Sequence, residues 1–386
     1  MRTLLLYVFL MTAFTAPVSA SSPDAEKNFR EAYERYEELL AKERSPEENN
    51  DLLEAAKQAY IYGKDYFGDK NKNSALLAQT YAWTLGRLKK GDEGRKVLIE
   101  SLPIFEAAFG PNSEEYMLVH IDIVEFTGYA VEDAINYAKK GETLSKNIFG
   151  ENSVEYADIL LRLSRELVSK NFDSLAKEYL DSAKSIYQVH FGENDSRVAS
   201  VDYILGRIYA ADDKYEQALD LLRNSAKIFD NIGPEGLEPA KRAHNEIVDI
   251  FYKLEEPEEA TKHCIAIGVI NEKLGKKEPE AIITESIKLT RHIVDKGLSG
   301  YVTVEYRVSE EGYVENAKVV ESTGKVFNKV ALKHINGGRF APRVVDGKPV
   351  ATDKQIEKLH IGKDAVFEAL NVLKKAAGIS EDSHDE

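Results

Sequence analysis

The sequence predicts a mostly α-helical chain: a solenoid of helical hairpins over most of its length, then a small α+β domain with an antiparallel sheet. Three observations predict it. A Phe-Gly landmark recurs at Phe67-Gly68, Phe109-Gly110, Phe149-Gly150 and Phe191-Gly192, and continues in weaker form at Ile232-Gly233 and Leu274-Gly275. Successive glycines lie 42, 40, 42, 41 and 42 residues apart, and a fixed period of this size is the signature of stacked supersecondary units. Near residue 298 the apolar period changes from helical to two, as a half-buried strand requires. Finally, 386 residues, 43% of them hydrophobic, are too many for one ordinary domain and apolar enough for a sizeable core.

In chain order, the first element is an address. Met1 and Arg2 precede an apolar run over residues 4–16, closed by Pro17, Val18, Ser19 and Ala20. A positive start, a short apolar stretch and a small-x-small ending read as a secretory signal peptide over 1–20, cleaved between Ala20 and Ser21. An uncleaved anchor is the alternative, but a span needs about 20 predominantly apolar residues and this run is shorter. No cysteine stands at the cleavage position, so no lipoprotein anchor is expected. The only cysteine, Cys264, excludes a disulfide framework and a Cys-rich zinc site. Its apolar neighbours make it a core thiol.

One repeat unit can be read residue by residue. A helix over 182–191 stops at Gly192, which reaches the left-handed conformation without a Cβ penalty. A polar loop follows, and in two units Asn112/Glu115 and Asn152/Glu155 stand at capping-box spacing. The next helix carries Val198, Val201, Leu205, Ile208 and Tyr209, and after a turn at 211–214 its partner carries Tyr215, Ala218, Leu221, Leu222 and Ala226. A single hairpin cannot bury both faces, so hairpins must stack. With Leu205-Gly206, Tyr209, Tyr215 and Ala218 at these offsets, residues 203–229 resemble a tetratricopeptide (TPR) repeat. The Phe-Gly-x-Asn-Ser loop and the period above 40 are similar to the longer variant of kinesin light chains. Trp83, Leu85 and Gly86 echo the same opening, whereas Arg162-Leu163-Ser164 lacks the glycine. The resemblance implies peptide or protein binding on a solenoid surface, with Tyr81, Tyr116, Tyr156, Tyr203 and Asn245 in first helices as candidates. Each tyrosine equally suits repeat packing.

The C-terminal part begins with a helix expected over 282–294. Val302, Val304, Tyr306 and Val308 then share one face of a strand, and Ser309 to Gly312 supply a hairpin turn. The return strand, 313–321, slips parity between Val314 and Ala317/Val319, which predicts a β-bulge near Asn316. Phe327, Val330, Ala331 and Ile335 make a short helix stopped by Gly337-Gly338, a turn stands at Asp346-Gly347, and a last strand covers 354–361. This order resembles the TonB C-terminal domain family. The resemblance is carried by Gly300-Tyr301-Val302-Thr303-Val304, Val319-Val320-Glu321-Ser322, Arg339-Phe340-Ala341-Pro342 and Gly347-Lys348-Pro349-Val350.

The resemblance implies a periplasmic domain that grips an extended segment of an outer-membrane transporter by adding it to a sheet edge, a mode called β-augmentation. The implied edge is the last strand, with Lys354, Gln355, Glu357, Leu359 and Ile361. Its lysines also suit protection of an exposed edge. An energy transducer of this family needs a membrane helix and a Pro-rich spacer; here the first 20 residues look cleavable and a solenoid stands in place of the spacer. The expected division is a solenoid over 21–283, the small domain over 284–361, and an amphipathic helix with a polar tail over 362–386.

No Walker loop, dinucleotide fingerprint, nucleophile elbow or paired His motif is present, so neither an enzyme, a metal nor a cofactor is expected. With 51 Lys+Arg against 66 Asp+Glu and a net charge of -15, nucleic acid is not an expected partner. The charge is unevenly spread. Residues 1–299 carry 38 basic and 52 acidic side chains, and residues 300–361 carry 10 and 8. Unlike charge is therefore expected to help the small domain dock on the solenoid. The leading expectation is a periplasmic protein–protein interaction protein whose partner is an outer-membrane transporter. Two alternatives stand beside it: a membrane-anchored energy transducer, and a cell-envelope scaffold that binds cell wall or forms homo-oligomers through the small domain.

Overall fold

The computed structural model describes residues 23–42, 45–128 and 132–362. The expected signal peptide with its Ala20/Ser21 junction, and the expected C-terminal helix and tail, lie outside the described residues. The chain divides into two compact units, Met1–His190 and Phe191–Glu386.

The first unit is built of helices: α1 (Pro23–Leu40), α2 (Pro46–Phe67), α3 (Lys72–Arg87), α4 (Gly91–Phe109), α5 (Glu114–Phe126), α6 (Asp133–Phe149) and α7 (Val154–Ser169). It ends within α8 (Asp173–Phe191). From α1 to α7 each helix packs on the next, as stacked hairpins must. Gly68, Gly110 and Gly150 close their helices at the expected positive φ, 85°, 95° and 89°, but with ψ of 166°, 156° and 147° rather than the left-handed helical value, a region open to glycine alone. The helix starts differ by one position from expectation. Ser113 and Ser153, not Asn112 and Asn152, accept the N–H groups of Tyr116 and Tyr156, each at 3.1 Å. The short hydroxyl reaches back to the third residue of the helix from a position where the backbone is already extended. Leu98, Phe105, Val119 and Ile123 form one core of this unit, and Phe29, Tyr36, Leu52 and Leu77 another.

The second unit opens with two more hairpins, α9 (Ser196–Ala211) with α10 (Tyr215–Asp230) and, after a 3-10 turn, α11 (Leu237–Lys253) with α12 (Thr261–Lys273). Gly206 is a contact point: a Cβ there would lie 2.7 Å from Leu222 Cγ and 3.3 Å from the Ala218 carbonyl oxygen. In α7 the equivalent residue is Ser164, whose buried hydroxyl lies 3.3 Å from the Ala176 carbonyl and bonds to Leu160 O at 2.7 Å. A hydrogen bond therefore replaces bare close approach where the glycine is missing.

The rest of the second unit is α+β: β1 (Glu280–Ile283), α13 (Arg291–Asp295), β2 (Ser299–Val308), β3 (Val314–Ser322), α14 (Lys325–Asn336), β4 (Arg339–Ala341), β5 (Arg343–Val345), β6 (Lys348–Val350) and β7 (Thr352–Gly362). β3, β2 and β7 form an antiparallel sheet in that order. Val302, Val304, Tyr306 and Val308 on β2 pack with Phe327, Val330, Ala331 and Ile335 of α14 and with Leu359 and Ile361 of β7. The predicted bulge is present: Asn316 has φ 56° and the β2–β3 register shifts beside it. The helix expected over 282–294 is not. Residues 280–283 are β1, antiparallel to β4 with Glu280 opposite Ala341 and Ile283 opposite Arg339, and only 291–295 are helical. Two adjacent β-branched residues, Ile282 and Ile283, suit a strand once β4 offers them an edge.

Helix α12 packs on β4, β5 and β6. A Cβ on Gly268 would lie 2.5 Å from Pro342 O and 3.0 Å from Val344, and Ala341 joins the core of α10 to α12. This junction is largely apolar, with two polar links: Arg339 Nη2 donates to Thr261 Oγ1 at 2.7 Å and Gly347 N–H to Glu272 Oε2 at 3.1 Å. The charge contribution is local: Glu280 receives Lys241 at 2.6 Å and Lys276 at 2.8 Å. Although burial alone would raise its pKa, those two ammonium groups hold Glu280 below the usual carboxylate range.

Candidate protein-binding surfaces

The last strand of the small domain is an edge. Among the described residues β7 pairs with β2 alone, from Ser299 opposite Gly362 to Val308 opposite Thr352. Pairing with β2 sets its alternation. Gln355 and Glu357 are half-buried and Leu359 and Ile361 are buried, all opposite the core-facing residues of β2, while Ile356, Lys358 and His360 turn to solvent. Lys354 is exposed with φ 56°, where the β2–β7 register shifts. It therefore stands in a bulge that ends the regular part of the strand, and 355–361 is the length left for pairing.

Neighbouring side chains hold that strand in shape. The Tyr306 hydroxyl donates to Glu357 at 3.2 Å, and burial with the adjacent carboxylate pushes the phenol well above its usual range. On the solvent side the Lys358 ammonium lies 3.8 Å from the Tyr301 ring centre, and the Tyr301 hydroxyl donates to Glu321 at 2.6 Å. The tether from Glu321 on β3 to Lys358 on β7 thus crosses the whole sheet.

The other edge, β3, is less regular. Its register against β2 shifts twice in nine residues, once beside Asn316 and once at Val320. Bulges of this kind impede pairing with an added strand.

The solenoid candidates are positioned as packing residues. Tyr156 is buried and its hydroxyl donates to Glu142 at 2.6 Å. Tyr81 stacks on Tyr60 at 6.2 Å between centroids, and Tyr116 meets His120 edge-on at 4.7 Å. Both are half-buried, as are Tyr203, which donates to Glu246 at 3.3 Å, and Asn245 on α11. Burial raises the phenol pKa of all four tyrosines, so each keeps its proton at neutral pH.

A polar cluster in the first unit was not anticipated. Asp122 on α5, 3% exposed, accepts from Gln79 Nε2 at 2.7 Å and Trp83 Nε1 at 3.2 Å, both on α3, and from Arg162 Nη2 of α7 at 2.8 Å. Arg162 also reaches Glu125 at 2.8 Å, whose pKa is raised by burial despite that arginine. Three successive first helices are joined by one carboxylate. The available signal is Asp122 itself, a charge inside the apolar run Met117 to Val124.

Residues 291–357 match the family model of the Gram-negative bacterial TonB protein C-terminal domain. The match covers β2, β3, α14 and most of β7, and leaves β1 outside. No curated protein matches the chain. Solved structures align with more than half of the chain. BtubC (BKLC) from P. vanneervenii aligns at 16% identity over 70% of this chain and 100% of its own, with a TM-score of 0.37. A kinesin light chain with nearly identical TPR-like repeats from Podosopora anserina aligns at 11% identity over 55% of this chain and 97% of its own, with a TM-score of 0.40. The assembly chaperone of RpL4, Acl4, aligns at 15% identity over 64% and 97%, with a TM-score of 0.41. No helix among the described residues is long and apolar enough to cross a membrane.

Proposed function

We propose that the protein is a non-enzymatic interaction protein of the Gram-negative periplasm, whose TonB-type domain adds an extended segment of a partner to β7. The observation that supports this is the contrast between the two sheet edges. β3 is bulged twice within nine residues, while β7 offers 355–361 without a register shift. Main-chain pairing there supplies affinity, and the alternation of Ile356, Lys358 and His360 with Gln355 and Glu357 supplies choice. The partner is the periplasmic segment of a TonB-dependent outer-membrane transporter, and the helical repeats hold a second protein.

The test is photocrosslinking in cells from Ile356 on β7 and from Val320 on β3, which are 65% and 49% exposed. Transporter adducts from Ile356 and none from Val320 are expected. Adducts only to cell wall or to a second copy would overturn the reading in favour of an envelope scaffold. Sequencing the mature N-terminus separates it from the anchored transducer: Ser21 as first residue is expected.

A further inference from the structure

The turn between α11 and α12 departs from the repeat. The corresponding turns after α3, α7 and α9 are three residues each, 88–90, 170–172 and 212–214, whereas this one runs over 254–260. All four place one residue in the left-handed region at the same point: Lys89, Asn171, Asp213 and Glu255. What is added is Pro257, Glu258, Glu259 and Ala260, since Glu256 N–H bonds back to Phe251 O as Lys90, Phe172 and Lys214 do in the shorter turns. Insertions in repeat arrays fall on loops of one face, often the face that binds.

The added turn has a set shape. Glu259 N–H donates to Glu256 O and Thr261 N–H to Glu258 O, each at 3.1 Å. It walls a crevice of about 870 Å3 whose other wall is the start of α10, with Tyr215, Glu216, Leu219 and Arg223. Leu254, 37% exposed, supplies the apolar surface of the lining, above the buried Leu219 and Phe251.

Charge decides what fits. Glu216, Glu255, Glu256, Glu258 and Glu259 line the crevice against one cation, Arg223. Among the described residues none of the five carboxylates forms an ion pair or a side-chain hydrogen bond. Glu216, Glu258 and Glu259 stand at the starts of α10 and α12, where the helix dipole accounts for acidic residues. Glu255 and Glu256 follow the end of α11, where the dipole favours cations. A local rule is broken there with no compensating contact, the pattern expected where a site rather than the fold selects the residue.

We propose that this crevice docks a lysine- or arginine-bearing peptide segment of a partner protein. One apolar side chain of that segment lies against Leu254, and its cations lie among the glutamates. The site is separate from β7, so either surface can fail without the other.

The experiment uses the full chain and a fluorescent peptide with four lysines flanking a Leu-Phe pair. Two variants carry the same change in net charge: Glu216→Lys/Glu255→Lys/Glu256→Lys in the crevice, and Glu31→Lys/Glu34→Lys/Glu38→Lys on α1. At about 0.5 kcal/mol per exposed charge pair, three reversals should weaken binding by about tenfold in the crevice variant and by about twofold or less in the α1 variant. A peptide with Ser-Ser in place of Leu-Phe should also bind more weakly. Equal loss in the two variants, meaning bulk attraction to an acidic chain, overturns the proposal. So does failure of the unaltered protein to bind the probe. Glu255→Gln/Glu256→Gln, which keeps side-chain size, repeats the test if the reversal variant does not fold.

Discussion

Arg339 Nη2 donates to Thr261 Oγ1 at 2.7 Å, binding the arginine of the Arg-Phe-Ala-Pro stretch to the first residue of α12. The same nitrogen donates to Glu311 O at 3.0 Å, and the guanidinium carbon lies 3.5 Å from the Tyr313 ring centre. The side chain is fully buried and, among the described residues, no carboxylate pairs with it. Its role is thus to join a helix start, a hairpin turn and an aromatic face. Arg339→Leu should lower the stability of this unit by about 3 kcal/mol, since charged hydrogen bonds contribute about 1.5–3 kcal/mol. Arg339→Lys should restore little, because a point charge cannot reproduce the flat stack and fork. Faster hydrogen exchange in α12 and β4 would report the loss; unchanged exchange in Arg339→Leu would refute the role.

Gly268 makes the complementary prediction. In a free helix Gly→Ala gains about 1 kcal/mol. Here the added Cβ meets the Pro342 carbonyl at 2.5 Å, a backbone atom that cannot rotate away, and overpacking costs about 1–3 kcal/mol. Gly268→Ala should therefore be destabilising by about 1 kcal/mol net, read as a lower unfolding midpoint. A rise in the midpoint would show that α12 and the 342–344 segment separate easily.

Asp122 can be tested by fluorescence, because its hydrogen-bond donor Trp83 is the only tryptophan. Asp122→Ala should cost about 2–3 kcal/mol. That is less than the 3–5 kcal/mol of a fully buried pair, since Arg162 can still turn to water. It should also red-shift Trp83 emission before unfolding. Identical emission in Asp122→Ala would place the indole nitrogen's partner elsewhere.

His263 predicts a pH dependence. Its Nδ1 lies 2.8 Å from Nδ1 of His244, whose Nε2 lies 3.2 Å from Asp230. Burial first, then His244, Lys262 and Arg223, hold His263 down to about 3, with Asp230 opposing them. The unfolded chain takes this proton near 6.5, so below that value the unfolded state binds more protons. Stability is then lost as pH falls from 6.5 toward 3, by at most about 1.4 kcal/mol per pH unit from this group. His263→Asn, which keeps a donor toward His244, should flatten the slope of the unfolding free energy between pH 6.5 and 5. An unchanged slope would assign the acid sensitivity to other groups.

Local signals were legible in the sequence and distant ones were not. The glycine period was readable because each turn must reach positive φ, and the parity slip at Asn316 was readable because a strand alternates strictly. β1 was misread because Ile282 and Ile283 also fit a helical face, and the deciding partner, β4, lies far along the chain. The burial of Tyr156 was hidden for a related reason: a tyrosine at helical spacing serves packing and recognition alike. The Asp122 cluster draws on three helices, so only the misplaced charge showed locally.

The pairing of β1 with β4 bears on how the small domain is handled. A fragment cut at residue 291, where the family match begins, would lack β1 and bare the β4 main chain that the intact protein keeps bonded. Such a fragment would carry a second adhesive edge of its own making. Partners captured by it would report the cut as well as β7, and a cut at residue 279 avoids the artefact.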